Sequence, residues 1–479
     1  MIAGAMPIVV QLRFVEQPPF ENKGKCSGWE SASNAAVQNP YGYLMSAVAG
    51  VEVWRLVVGE RHRDNDAQES RDLRHGRDRC LERGDLRHHL PAGRAGLFRR
   101  AGGPVLSIAR GYRAVPKPNR DTNALIGAAL RDLAAAQPSK RAGFGYKRAA
   151  NAVLNLDSQI DTLITPDGRL PKITNVGPKS ERVIREVLDT GTSQLVERAV
   201  KASGNAEVVA RARTLRKNFL SRAAAVAALR AAKSSRDLPA LADYRGDLQM
   251  HSTWSDGSQT LEEIIDAGLA RGYSYCGVTD HSYGLPIAGG LSMTELAKQH
   301  REIDQLNRRY RGRFRLIKGI EANIRADGSV DMSPSELARL ELVVAAPHSA
   351  LRSAADQTAR MLGAVRTPRV HILGHPRGRL YGTRPGVTAD WPRVFAAAKK
   401  SGVAIEIDGD PWRQDVDFDL AGLALKAGCL FALDSDAHSP PELRNAETAV
   451  AHARRAGIPK SRIINCWETE RLLAWIMAR

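Results

Sequence analysis

No run of eighteen or more apolar residues occurs anywhere in the 479 residues, so no segment reads as a membrane-spanning helix. The N-terminus also lacks a basic segment followed by an apolar block and a small-residue cleavage site, and a cytoplasmic location is the expectation. Paired cysteines are missing too. Cys26, Cys80, Cys276, Cys429 and Cys466 are far apart, odd in number and never spaced as CxxC, and they read as reduced side chains rather than a disulfide framework. Acidic charge is scarce in the first half: residues 1–240 carry 39 basic and 23 acidic residues, whereas 241–479 carry 31 and 29. The basic field that could attract a polyanion therefore sits N-terminally.

Length alone implies about three domains. Residues 1–115 lack coherent periodicity. Between 61 and 100, eleven Arg, seven acidic residues and four His (His62, His75, His88, His89) leave few apolar side chains to close a core. Irregular or disordered chain is expected there; a second reading is that this stretch is not authentic protein sequence, as after an upstream start or a shifted frame.

From 116 to 200 the text becomes helical. NALIGAALRDLAAA is expected to place Leu125, Ala128, Ala129 and Leu133 on one face, and FGYKRAANAVLNL continues with Ala149, Val153 and Leu154. In LPKITNVGPKSERVIREVLDTG, Val183, Val187 and Leu188 mark a helix after a tight turn at 175–177, with Gly191 as its stop. Residues 201–242 are basic and alanine-rich, and RARTLRKNFLSRAAAVAALRAAK reads as one basic linker helix.

Beyond 243, short apolar strands end in polar tips and alternate with helical segments. The tips are His251, Asp280-His281, Glu321, His348, His375, Glu406-Ile407-Asp408 and Asp434 to His438. Thr260 with Glu263, and Ser292 with Glu295, form capping boxes, and Leu261, Ile264, Ile265 and Leu269 form the first helix's buried face. Seven β/α units predict a distorted parallel barrel with its active face at the strand C-termini. Imidazoles and carboxylates converging there suit Zn²⁺, Mn²⁺ or Fe²⁺, and two or three such ions suit phosphoester hydrolysis. Arg377, Arg379 and Arg413 are candidate phosphate clamps. His371 and His300 are left outside the ligand set.

GDLQMHSTWSDG, VTDHS, GIEANI, APHS, LGHPRGR, IEIDGDPWRQD and DSDAHS resemble the ordered motifs of the PHP (polymerase and histidinol phosphatase) domain, above all that at the C-terminus of bacterial family X DNA polymerases. The resemblance implies a seven-stranded α/β barrel over 243–479 with a trinuclear metal site. One ion would be held by His251, Glu321 and Asp436, a second by Glu321, His348 and His375, and a third by Asp256, His281 and His438. The family's His-x-His opens here as Gln249-Met250-His251, so Gln249 would offer a carbonyl oxygen to the first ion. Glu321 and His281, with Arg377 and Arg379, are the expected catalytic groups, acting with a metal-activated hydroxide. Residues 121–200 resemble the N-terminal helical domain of the same polymerases. There 170–191 is similar to a helix-hairpin-helix, presenting Asn175, Val176, Gly177 and Lys179 to DNA phosphate. No palm with paired carboxylates follows. The expected activity is 3′-end, exonucleolytic or abasic-site processing of DNA. A small-molecule phosphomonoesterase of the histidinol-phosphatase type and a non-catalytic DNA-binding protein with a degraded metal site are the alternatives.

Overall fold

The computed structural model describes residues 120–231 and 236–479; the expectations for 1–115 concern residues outside this range. Six helices come first: α1 (Thr122–Ala135), α2 (Lys140–Leu154), α3 (Pro178–Thr190), α4 (Gln194–Ser203), α5 (Ala206–Leu215) and α6 (Arg222–Arg230). Asp121 caps α1 by accepting from the Ala124 N–H at 3.0 Å. The helices then bury Ile126, Leu130, Leu133, Ala149, Val153, Val183, Ile184 and Val187 in one cluster. Helices α1 and α2 approach closely at two glycines. A Cβ on Gly127 would meet Leu154 at 2.6 Å, and one on Gly143 would meet the Ala134 carbonyl at 2.6 Å. The buried stripe of α1 is thus Ile126–Leu130–Leu133, one position from the expected face, and Leu125 is exposed. Alanine on both sides of this helix gives the pattern too little contrast to fix its phase.

The basic segment is not one helix. Helix α5 stops at Leu215 and α6 starts at Arg222, with Ser221 as N-cap and Asn218 at φ 63° between them. The break lets Phe219 and Leu220 become buried. The cations are engaged as well: Arg213 and Arg216 both pair with Asp132, and Arg222 pairs with Asp157 and Glu447.

Seven strands follow: β1 (Gly246–Met250), β2 (Tyr275–Val278), β3 (Arg315–Asn323), β4 (Leu342–Ala346), β5 (Ile372–Leu373), β6 (Ala404–Asp408) and β7 (Leu430–Asp434). They pair in sequence order, every neighbouring pair parallel. Between β7 and β1 side chains replace most of the ladder. Leu248 N–H donates to Asp434 at 2.9 Å and Ser435 N–H to Asp247 at 3.1 Å, and Met250 bridges to Ala437 in parallel sense. The seven β/α units therefore form a nearly closed barrel.

Leu248, Tyr275, Ile317, Leu342, Val344, Ile372, Ala404 and Ala432 form one apolar cluster with Trp467, Leu472 and Ile476 from the C-terminal segment. A larger cluster joins the strands to the surrounding helices. Both expected capping boxes are present, on α7 (Leu261–Ala270) and α8 (Met293–Arg309). Leu261, Ile264 and Ile265 are buried, whereas Leu269 is exposed.

The six-helix segment grips the barrel loops that follow β5 and β6. Leu220 exchanges two backbone hydrogen bonds with the Gln414 carboxamide (2.8 and 2.9 Å). Phe219 packs edge-on against Tyr381 at 5.1 Å. Arg131 lies 4.9 Å above the Trp412 ring, a cation–π geometry.

Candidate metal centre

Each ligand-bearing tip is placed by the parallel register. In β1 the pairing to β2 slips between Asp247 and Met250, and such a bulge re-aims side chains. Leu248 joins the inner apolar cluster and Met250 the outer one, while Gln249 and His251 turn toward His375 and Glu321. Asp280 fixes the loop after β1. It accepts from the Ser252 N–H at 2.8 Å, the Ser252 hydroxyl at 2.6 Å and Gln299 Nε2 at 2.5 Å. Its neighbour His281 faces the centre instead.

Glu321 is the hub. Its Oε1 lies 3.2 Å from both His348 Nε2 and His375 Nε2, and its Oε2 lies 3.2 Å from His281 Nδ1 and 3.4 Å from His251 Nε2. His251 Nε2 is also 3.1 Å from Asp436 Oδ1. Asp256 faces His438 at 3.5 Å, His281 at 3.6 Å and His251 at 3.8 Å. Donors about 2.1 Å from a tetrahedral ion stand about 3.4 Å apart, the range seen here. Among the described residues, four groups have donor atoms mutually within 4.8 Å: His251–Asp256–His281–His438, His281–Glu321–His348, His251–Glu321–Asp436 and His375–Asp408–Asp436.

Outer contacts orient the rings. His438 Nδ1 lies 2.8 Å from the Asp436 carbonyl and His348 Nδ1 lies 3.3 Å from Asn323 Oδ1, so in each case a protonated Nδ1 leaves the Nε2 lone pair facing the centre. Gln249 brings its carboxamide nitrogen to 3.4 Å from His375 Nδ1. Asp436 holds φ 51°, a region that costs a non-glycine residue on the order of 1 kcal/mol.

The electrostatics favour a cation. Burial and then Asp434 push the Glu406 carboxyl well up, and burial and then Asp436 do the same to Asp408. Burial lowers His281 to about 3. Burial also works against charge on His251, yet Asp436 and Glu321 outweigh it and raise that imidazole to about 10. Both Glu321 oxygens, His251 Nδ1, His281 Nδ1, His375 Nε2, Asp408 Oδ2 and Asp436 Oδ2 are buried without hydrogen-bond partners. An unpaired buried polar atom costs about 1–3 kcal/mol; divalent ions would satisfy this convergent set, so the residues fit the metals that the sequence implies.

Arg377 and Arg379 need correction as phosphate clamps. Their guanidinium groups turn to Asp417 at 3.2 and 3.0 Å. Arg379 is buried and also donates to the carbonyls of Arg413, Lys217 and Gln414. Arg413 instead faces the cluster, 3.2 Å from Asp436 Oδ2. Asp408 and Asn323 had drawn no ligand or supporting role from the sequence. The signal for Asp408 was its position at the end of a strand whose neighbours also end in ligands.

No family model matches the chain. Over 232 residues it is 34% identical to the DNA polymerase/3′-5′ exonuclease PolX of Bacillus subtilis, covering 48% of this chain and 40% of that protein. Over 175 residues it is 30% identical to a probable phosphatase of Aliivibrio fischeri, covering 34% of this chain and 68% of that protein. The chain belongs to the PHP phosphoesterase family. Its PHP barrel makes it a metal-dependent hydrolase of phosphate esters. A probable phosphatase of Caldicellulosiruptor saccharolyticus is 27% identical over 216 residues, 43% of this chain and 84% of that protein. The histidinol phosphate phosphatase of Lactococcus lactis, solved with zinc, L-histidinol and phosphate, aligns to 43% of this chain and 92% of its own at TM-score 0.34 and 17% identity. The chain spans less than half the length of the PolX relative, and among its described residues the PHP barrel follows α6 with no palm between them.

Proposed function

We propose that the PHP centre acts on DNA, removing nucleotides or blocking groups at 3′ ends or abasic sites, in a cytoplasmic setting. The observation that carries this reading is the docking of the helical segment on the rim of the metal centre, through Leu220 with Gln414 and Arg131 over Trp412. A strand held by that segment would run toward the barrel loops that follow β5 and β6. Support comes from the 170–191 hairpin. Asn175 has φ 67°, Gly177 is the N-cap of α3 and Pro178 its first residue. Gly177 makes no side-chain cap bond, so the first N–H groups of α3, with Lys179 exposed beside them, can meet a phosphate.

Bound divalent ions would supply Lewis acidity to the ester and lower the pKa of water. The chain's own residues do the rest. Glu321 would help hold the ions, with His251, Asp436 and the neutral Gln249 carboxamide at the first position, His348 and His375 at the second, and Asp256, His281 and His438 at the third. Arg413, whose guanidinium lies 3.2 Å from Asp436 at the cluster, would meet an ester oxygen.

The test is an assay of purified protein with Mn²⁺ or Zn²⁺ on 3′-blocked, abasic and plain oligonucleotides alongside histidinol phosphate. EDTA-sensitive cleavage of an oligonucleotide, abolished by His281→Ala, is expected. Hydrolysis of histidinol phosphate alone would replace the DNA reading with a small-molecule one.

A further inference from the structure

Two arginines near the rim, Arg352 after β4 and Arg384 after β5, have no role in the DNA phosphoesterase reading, on which this inference rests. The loop that follows β5 turns back on itself, with Leu380 bridging to Arg384 in antiparallel sense. Arg384 Nε donates to the Gly378 carbonyl at 2.6 Å, which fixes the guanidinium and leaves its two terminal nitrogens without a partner among the described residues. Arg352 is exposed, and its Nη1 donates to the carbonyl of Thr383, the residue before Arg384, at 2.9 Å. Neither arginine forms an ion pair with a described residue.

The surroundings add charge of the same sign. Burial, then Arg413, then Arg352 lower the half-buried Arg384 guanidinium to about 10. Asp415 opposes them, but its carboxylate already accepts from the Arg377 and Gly378 N–H groups at 2.9 and 2.7 Å. Arg384 also lines a groove of about 520 Å³ between the α5–α6 break, at Lys217 and Asn218, and the β5 loop, at Arg377 and Pro385. The acids of that groove are taken: Asp417 pairs with Arg377 and Arg379, and Asp419 meets Asn218 at 2.8 Å and Lys217 at 4.0 Å. Arg384 thus faces the groove and neighbours Arg413, the guanidinium 3.2 Å from Asp436 at the metal centre. Three converging cations without an acid among them are an electrostatic cost that a phosphate would offset, because a guanidinium fork matches two phosphate oxygens.

We propose that Arg384, with Arg352 beside it, binds a phosphate of the substrate strand other than the one being cleaved. The scissile phosphate meets the metal centre and Arg413, a further phosphate meets Arg384, and the strand beyond it lies in the groove toward the helical segment. A small phosphomonoester, having one phosphate, cannot occupy both places.

Full-length protein loaded with Mn²⁺ tests this on two substrates: a short oligothymidylate, and the p-nitrophenyl ester of thymidine 5′-phosphate, which carries a single phosphate. Arg384→Gln should lower kcat/KM for the oligothymidylate about tenfold more than for the single-phosphate ester, chiefly through KM. It should also reduce the slope of log affinity against log salt for oligothymidylate by about 0.7. Arg352→Gln should shift the ratio of the two substrates in the same direction by a smaller factor. If Arg384→Gln does not fold, that ratio for the exposed Arg352 decides alone. Wild type that cleaves oligothymidylate, with variants that lose equally on both substrates, would overturn the subsite and leave the DNA reading standing. Wild type that hydrolyses only the single-phosphate ester would overturn both.

Discussion

Asn323 and Asp417 touch different halves of the machinery and make separable predictions. Asn323 accepts from one nitrogen of His348 and leaves the other facing Glu321. Asn323→Ala should weaken metal binding by about tenfold to a hundredfold, read by titration with Mn²⁺, while the unfolding midpoint changes little. Asp417 does the opposite, because it balances the buried guanidinium of Arg379. Asp417→Ala leaves that charge uncompensated and should cost about 3–5 kcal/mol of stability, measured by urea unfolding. The tips His251, His281, Glu321, His348, His375, Asp436 and His438 were legible because ligand types recurred after each apolar strand. The direction of Arg377 and Arg379 was not, since a loop sequence such as HPRGR does not say which acid it folds against. Asp408 was visible as a tip and unreadable as a donor for the same reason.

At the level of elements, α3 and its preceding turn support the DNA reading. The exposed Lys179 lies in the first turn of α3, and Lys179→Ala should reduce the slope of log affinity against log salt for duplex DNA by about one; an unchanged slope would remove this turn from the interface. The stop at Gly191 was plain in sequence, and the structure gives it φ 85°. The break between α5 and α6 was hidden, because Arg, Lys and Ala favour a continuous helix and only the burial of Phe219 and Leu220 against the barrel overrides them. Sequence periodicity sees local preference; that burial is a long-range contact.

The whole molecule should be acid-labile for reasons separate from its metals. His452 is fully buried, its Nδ1 accepting from the Phe418 N–H at 3.1 Å and its Nε2 donating to Gln414 at 2.7 Å. Burial, then Arg379, depress it to about 3. His371 accepts from the Val343 N–H at 3.1 Å and donates to the Ile476 carbonyl at 3.0 Å; burial depresses it to about 4. Both folded values lie below the unfolded value of about 6.5, so the unfolded chain binds more protons between them. Stability from these histidines is complete above about pH 6.5 and is lost as pH falls toward 4 and 3. The urea midpoint should drop across that window in metal-free protein, and a His452→Gln variant should show a shallower decline.

The barrel also has a preferred place to come apart. Six of its joints are backbone ladders, but the seventh hangs on Asp247, Asp434 and a single bridge at Met250. A hoop pegged this unevenly opens at its weakest join, and that join carries His251 on one lip and Asp436 on the other. The amides of Leu248 and Ser435 should therefore exchange with deuterium before those of β3 and β4. Ions that span the two lips would act as a clasp, slowing exchange there more than anywhere else in the ring.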